Sequence, residues 1–235
     1  MIAFRRLTMA SAICGMVCLA VVAPIGHAAA QTGTKPAVAA RPVEVDLFRG
    51  LADIFSRGMD TLTEKLNRQG YSAQVYSHTN WQSVAQRIAA RYARGDRPIV
   101  VLIGHSLGAD ATLQIAQALS RSNVPIEMIV TFDGTHPHQV PGNVRHLVNF
   151  YQNNGFGKKI SPGPGFAGEL NNVDLTADTT LSHVTIDKSH RLHAQVIAKI
   201  ADIVNKDIAA ARQASKPKKP RTAKPSAAKA QTGKQ

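Results

Sequence analysis

The stretch that decides the fold is residues 97–110, which read RPIVVLIGHSLGAD. Residues 99–103 are an unbroken run of Ile, Val and Leu, the pattern of a strand covered on both faces of a parallel sheet. Gly104, Ser106 and Gly108 follow in a Gly-x-Ser-x-Gly spacing, and apolar residues then recur at helical spacing. This order predicts a sharp turn that lifts the Ser106 hydroxyl above the edge of the sheet.

The two glycines have a steric role in this prediction. Gly104 and Gly108 flank the serine where strand and helix crowd together, so a side chain at either position would clash. We therefore expect Ser106 to lie in a strained backbone conformation. Asp110, four residues after the serine, is placed to favour the positive end of the helix. The same pattern also fits an ordinary strand–turn–helix without chemistry at the serine.

The first thirty residues have the composition of a secretory signal peptide. Arg5 and Arg6 supply a positive start, residues 13–22 form a short apolar core, and residues 27–30 read HAAA, an Ala-x-Ala cleavage pattern. The apolar core is too short to span a bilayer well. We therefore expect residues 1–30 to be removed on export to a periplasmic or extracellular location. Both cysteines of the chain lie in this segment, so the mature protein has no thiol nucleophile or disulfide.

The positive charge of the chain is concentrated near its C-terminal end. The formal net charge is +13, but residues 31–212 hold 19 basic and 15 acidic residues, a net charge of +4. Seven Lys and Arg lie in residues 213–235, where no apolar residue is larger than Ala. We expect this segment to be a disordered tail that could contact an anionic surface. No nucleic acid partner is assigned, because an exported protein would rarely meet one.

Residues 42–212, reached through a linker at 31–41, remain for one folded domain. Strand patterns alternate with helix patterns along it, which predicts a single α/β domain with a parallel sheet and helices on both faces. The predicted strands are 42–48, 72–77, 99–103, 126–132 and 144–151. The predicted helices run from Leu51 to Leu66, from Asn80 to near Gly95, over 107–119 and over about 190–211.

The spelling GHSLG at residues 104–108, set between a buried strand and a helix, resembles the α/β-hydrolase family in its small lipase-, esterase- or thioesterase-like forms. The order of strands and helices extends this resemblance over roughly residues 43–205. The resemblance implies an α/β-hydrolase-like fold. It also implies hydrolysis of a carboxylic ester or thioester without a metal or another cofactor.

The resemblance further implies an acid and then a histidine downstream of Ser106. Asp133 follows the strand after the elbow helix, at the sheet edge where the serine is expected. An Asp before Gly134 is also an ordinary turn residue, and that reading stays open. Asp174 is the alternative acid.

Three histidines near the last helix are candidates for the base. His183 stands in the loop before that helix, where the family places its base. His190 and His193, at or inside the helix start, are the alternatives. A His-x-His pattern at 136–138, near the predicted acid, is too loose to predict a metal site, so no metal is expected.

Two backbone amides should bind the developing oxyanion, if the resemblance holds. One belongs to Leu107, the residue after the nucleophile. The second comes from the loop after the first strand, at Gly50 or Leu51. Arg49 stands here in place of the His-Gly or Gly-Gly turns common in lipases, which leaves open which amide faces the serine.

The Gly- and Pro-rich stretch 153–182 is long for a connection without secondary structure, which favours a lid or binding loop. Its larger apolar residues could line an acyl-group site or pack on the core. They are Phe156, Phe166 and Leu170.

Two functions from different classes fit this sequence. The first is an exported serine hydrolase that acts on a small-molecule or lipid ester or thioester through Ser106, His183 and Asp133. The second is a non-catalytic α/β-hydrolase-like envelope protein that binds a ligand or an anionic surface. An intact order of serine, acid and histidine favours the enzyme.

Overall fold

The computed structural model describes residues 41–51 and 53–215; the predicted signal peptide and nearly all of the basic tail lie outside the described residues. Eight strands and four α-helices occur within the described part. They are β1 (Val43–Arg49), α1 (Gly58–Arg68), β2 (Ser72–Ser77), α2 (Trp81–Ala93), β3 (Ile99–His105), α3 (Leu107–Ser120), β4 (Ile126–Phe132), β5 (Gln139–Val140), β6 (Val144–Tyr151), β7 (Ser161–Pro162), β8 (Glu169–Asp174) and α4 (His190–Ala214). No described helix is both long enough and apolar enough to cross a membrane.

Six of these strands form one parallel sheet in the order β2-β1-β3-β4-β6-β8. In a parallel sheet all strands end at the same edge, and the register brings the ends of β1, β3 and β4 level with one another. The residues that follow these strands, Gly50, Ser106 and Asp133, therefore lie along one edge. The short strands β5 and β7 pair separately.

Helices cover both faces of the sheet. Val101 and Ile103 of β3 pack with α1 and α4, whereas Val100 and Leu102 pack with α2 and α3. Every residue of β3 is buried, as its apolar sequence predicts for a central strand. The predicted parallel sheet with helices on both faces is confirmed, and a central strand that turns sharply into a helix gives the chain an α/β-hydrolase-like fold.

The prediction that the first helix starts at Leu51 is wrong. Helix α1 begins only at Gly58, after a single 3-10 turn, Ile54–Ser56. The backbone amide of Gly58 donates a hydrogen bond to Asp187, and a Cβ at Gly58 would lie 2.0 Å from the Asp187 carbonyl oxygen. This close docking sets where α1 begins. Three apolar residues before it are left 65%, 64% and 52% exposed: Leu51, Ile54 and Phe55.

The stretch 153–182 is also more ordered than its composition predicts. It contains β7 and β8, and β8 pairs with β6 as an edge strand of the main sheet. Phe166 and Leu170 pack against the core on the α2 and α3 side, so they do not line an acyl-group site. Phe156 alone of the three large apolar residues is exposed.

Candidate active site

Ser106 occupies the turn between β3 and α3 with φ of 58° and ψ of −127°, a strained conformation for a residue with a side chain. A Cβ at Gly104 would lie 2.1 Å from the carbonyl oxygen of Gly108. One at Gly108 would lie 2.2 Å from the carbonyl oxygen of Phe48. The two glycines therefore let β1, β3 and α3 approach closely enough to hold the serine in this turn.

Asp133, His183 and Ser106 form a continuous hydrogen-bonded line. Nδ1 of His183 donates to Oδ2 of Asp133 at 2.6 Å, and Nε2 of His183 lies 3.0 Å from Oγ of Ser106. The other oxygen of Asp133 accepts the backbone N–H of Gln152 at 2.9 Å. Because the carboxylate holds the proton on Nδ1, the lone pair of Nε2 faces the serine hydroxyl and can accept its proton.

The alternative acid and bases lie elsewhere in the structure. Asp174 ends β8 and is exposed, and His190 is exposed at the first residue of α4. His193 is buried, and its Nε2 donates to the carbonyl oxygen of Asp187 at 2.6 Å. Burial lowers the pKa of His193 to about 4. Within the described residues, none of the three is hydrogen-bonded to Ser106.

The two loops expected to bind an oxyanion lie beside the serine. Leu107 is the first residue of α3, so its amide has no acceptor within the helix. A Cβ at Gly50 would lie 2.8 Å from the Cβ of Ser106, which places the loop after β1 against the nucleophile. The amide of Gly50 is already donated to Oγ of Ser56 at 2.8 Å, whereas that of Leu51 has no acceptor among the described residues. Of the amides of Gly50 and Leu51, that of Leu51 is therefore the one left to bind an oxyanion.

Two buried residues beside this site, Ser56 and His105, were not predicted from the sequence. Oγ of Ser56 lies 2.7 Å from Nδ1 of His105, and Nε2 of His105 lies 2.7 Å from the carbonyl oxygen of His183. Burial, with a contribution from His183, lowers the pKa of His105 to about 4, so the ring is neutral near pH 7. No spacing rule marks these residues, because His105 fills a variable position of the motif and Ser56 lies in a short turn.

A second Asp–His group links Asp110 of α3 to the segment between β4 and β5. Oδ1 of Asp110 accepts the backbone N–H of His136 and Nε2 of His138, both at 3.2 Å. Oδ2 accepts the hydroxyl of Thr135 at 2.6 Å and Nδ1 of His136 at 2.7 Å. Burial would raise the pKa of Asp110, but these hydrogen bonds outweigh it and lower the pKa. The group thus ties residues 135–138 to α3.

This second group is also where the structure could hold a metal ion. The sequence places His136 and His138 near Asp133, but their partner in the structure is Asp110. The ligand atoms of these three residues lie within 4.8 Å of one another, which is close enough for one divalent cation.

One exposed apolar ring lies beside the proposed base. The ring of Phe156 lies 4.6 Å from that of His183, centroid to centroid, and the phenyl group is 61% exposed. Val184 is exposed beside the histidine, as is Leu51 beside Gly50. Phe156 therefore provides an exposed apolar surface beside His183.

Comparison with known proteins gives distant structural similarity only. No family model and no curated relative matches the chain. It is similar to human thioesterase 2, with 11% identity and a TM-score of 0.47 over 70% of this chain and 97% of that chain. It is similar to the RedJ thioesterase of the prodiginine pathway of Streptomyces coelicolor, with 14% identity and a TM-score of 0.44 over 68% and 87%. A cutinase-like protein from Cryptococcus sp. gives 15% identity and a TM-score of 0.43 over 72% and 96%.

Proposed function

We propose that the protein is an exported serine hydrolase that cleaves a carboxylic ester or a thioester. The observation that carries this proposal is the line from Asp133 through His183 to Ser106, with contacts of 2.6 Å and 3.0 Å. The strained turn presents the serine at the edge of the sheet, and the amides of Leu107 and Leu51, in the two segments beside it, have no acceptor among the described residues. A protein that only bound a ligand would not require this alignment.

In the first half of the reaction, Oγ of Ser106 attacks the carbonyl carbon while Nε2 of His183 takes its proton. The negative charge that develops on the carbonyl oxygen is stabilised by the amides of Leu107 and Leu51. His183 then gives its proton to the leaving alkoxide or thiolate. Asp133 keeps the imidazole in the required tautomer and stabilises its charged form. The product of this half-reaction is an acyl ester of Ser106.

In the second half, His183 takes a proton from a water molecule, whose oxygen attacks the acyl carbon. The tetrahedral intermediate uses the same two amides, and its collapse returns the proton from His183 to Oγ of Ser106. The acid product leaves, and the free serine is restored.

The acyl group of the substrate is proposed to be apolar. The exposed ring of Phe156 lies against His183, and two further exposed apolar residues, Leu51 and Val184, directly follow Gly50 and His183 in the sequence. Burying these side chains under an acyl chain would remove apolar surface from water, at about 25 cal/mol per Å². Longer acyl groups should therefore bind better than acetyl groups.

The test is hydrolysis of p-nitrophenyl esters and of acyl thioesters by purified protein that begins at Gln31. Ser106→Ala should lower kcat by about 10³-fold or more. Ser83→Ala, which removes an exposed hydroxyl on α2, is the matched control and should leave the rate unchanged. Equal activity in Ser106→Ala would overturn the proposal. A wild-type protein that hydrolyses none of these substrates would support the non-catalytic alternative.

The exported location rests on the composition of residues 1–30 and has its own test. Expression of the full chain in a Gram-negative bacterium should place the protein in the periplasm or the medium. Its N-terminus should begin at Gln31. Cytoplasmic protein that retains residues 1–30 would contradict export without affecting the assignment of the reaction.

A further inference from the structure

The hydrogen bonds of Ser56 and His105 have one consistent direction. The carbonyl oxygen of His183 can only accept, so Nε2 of His105 carries the ring proton and donates it. Since the ring is neutral near pH 7, Nδ1 keeps a lone pair and accepts the hydroxyl of Ser56. The oxygen of Ser56 in turn accepts the backbone N–H of Gly50.

This Ser56–His105 line joins the parts of the proposed site that the sheet alone does not connect. At one end it holds Gly50, and the next residue, Leu51, carries the free amide. At the other end it holds the backbone of His183. Its middle member, His105, directly precedes Ser106 in the chain. Ser56 and His105 are 0% and 1% exposed, so water does not compete for these hydrogen bonds.

We infer that Ser56 and His105 are positioning residues that hold the oxyanion loop and His183 in register with Ser106. The inference rests on the proposed function. Neither residue is a base in the reaction, since both nitrogens of His105 are occupied by Ser56 and His183. In this arrangement Asp133 orients the ring of His183, and His105 fixes the backbone of His183.

The size of the expected loss in kcat follows from the geometry of Asp133, His183 and Ser106. Nε2 of His183 is 3.0 Å from the serine oxygen, a distance suited to proton transfer. A displacement of about 1 Å at a catalytic group can cost about 100-fold in rate. Release of the His183 carbonyl should therefore lower kcat, while substrate binding should change little.

Two substitutions at His105 separate the halves of the line. The side-chain amide of Gln reaches about as far as Nε2, so His105→Gln can still donate to His183. The oxygen of Asn reaches only about as far as Nδ1, so His105→Asn can still accept from Ser56 but releases His183. His146→Asn, at a partly exposed histidine on β6, is the matched control.

His105→Asn should lower kcat roughly 10- to 100-fold with KM within about twofold. His105→Gln should lose less, because it keeps the hydrogen bond to His183 and gives up only the acceptor of Ser56. The His146→Asn control should match wild type. The decisive comparison repeats His105→Asn in a His183→Ala background, where it should have no further effect on the residual rate. A wild-type kcat in His105→Asn, or an equally large loss in the His183→Ala background, would overturn the inference.

Folding of the variants is checked by thermal unfolding, and one measurement needs no variant activity. Imidazole ¹⁵N spectra of the wild-type protein should show His105 neutral with its proton on Nε2 at pH 7. A proton on Nδ1, or a charged ring at pH 7, would overturn the inference. Failure of the proposed function has a different signature, because Ser106→Ala would then be as active as wild type.

Discussion

Two buried aspartates at the same end of the molecule, Asp133 and Asp110, bind histidines in different ways. Asp133 accepts one imidazole and one backbone amide, and the second nitrogen of that imidazole reaches Ser106. Asp110 accepts four hydrogen bonds, all of them from residues 135, 136 and 138. Neither of its histidines is hydrogen-bonded to Ser106 among the described contacts.

The difference shows that an Asp–His pair alone does not identify a hydrolytic site. Asp133 directly follows β4, just as Ser106 directly follows the neighbouring strand β3, and its φ is 51°. Asp110 lies inside α3, so its side chain meets the loop that follows Gly134. We interpret Asp133 as orienting a base and Asp110 as anchoring a loop. The following predictions test this contrast.

The largest effect is expected at the histidine that distinguishes the two groups. His183→Ala should lower kcat by about 10⁴-fold or more, because no other described base faces the serine oxygen. His190→Ala should stay within about twofold of wild type, since that residue is exposed at the start of α4. Steady-state hydrolysis of a p-nitrophenyl ester measures both. An inactive His190→Ala variant together with an active His183→Ala variant would show that His190, and not His183, is the base.

Exchanging each aspartate for asparagine should separate activity from stability. Asp133→Asn should lower kcat by roughly 10³- to 10⁴-fold, because the amide favours the wrong tautomer of His183. Asp110→Asn should keep kcat within about tenfold but lose about 1–3 kcal/mol of unfolding free energy, because the buried amide nitrogen of Asn cannot accept the hydrogen bonds that Oδ2 accepts from Thr135 and His136. Kinetics and urea unfolding of both variants make the comparison. Equal catalytic losses would show that the two aspartates do not differ in role.

Acid should remove the stabilising effect of Asp110. Its pKa is lower in the folded protein than the usual value of 3.8, so its contribution to stability is present above about pH 4. That contribution is lost as the pH falls through the folded-state pKa. The difference in unfolding free energy between wild type and Asp110→Asn should therefore shrink from pH 6 to pH 3. Urea titrations at both pH values measure it, and a difference that grows in acid would contradict the anchoring role.

The smallest effect is expected at Phe156, the exposed ring beside His183. The ring of Phe156 lies against that of His183, so Phe156→Ala should lower kcat/KM for an octanoyl ester by about 3- to 10-fold. The value for an acetyl ester should change less, because a short acyl group cannot reach the ring. Phe166→Tyr, at a residue packed on the core side, serves as a control. An equal loss for both esters would mean that Phe156 acts on His183 rather than on the acyl group.

Much of the fold and the neighbourhood of Ser106 follow from local sequence rules. A buried apolar run and two glycines define the elbow, and parallel strands place their following residues along one edge, where Asp133 joins the serine. His183 comes from a loop that no periodicity describes, so the sequence left three histidines open. The structure brings only this one to Ser106.

The remaining features depend on tertiary contacts that a linear pattern does not contain. Strand β8 reads ELNNVD, and such a polar edge strand gives no apolar alternation. The exposed Leu51 and Phe55 have helical spacing but lie before the point where α1 docks on Asp187. The hydrogen bond between Ser56 and His105 joins residues that are far apart in sequence. Neither residue belongs to a pattern that marks it as functional.

The most direct test of the account is covalent labelling with a fluorophosphonate, followed by intact mass and peptide mapping. We expect one adduct per chain, located on Ser106. The adduct should be absent from Ser106→Ala and should form far more slowly in His183→Ala. Unlabelled wild-type protein, or an adduct that persists in Ser106→Ala, would contradict it.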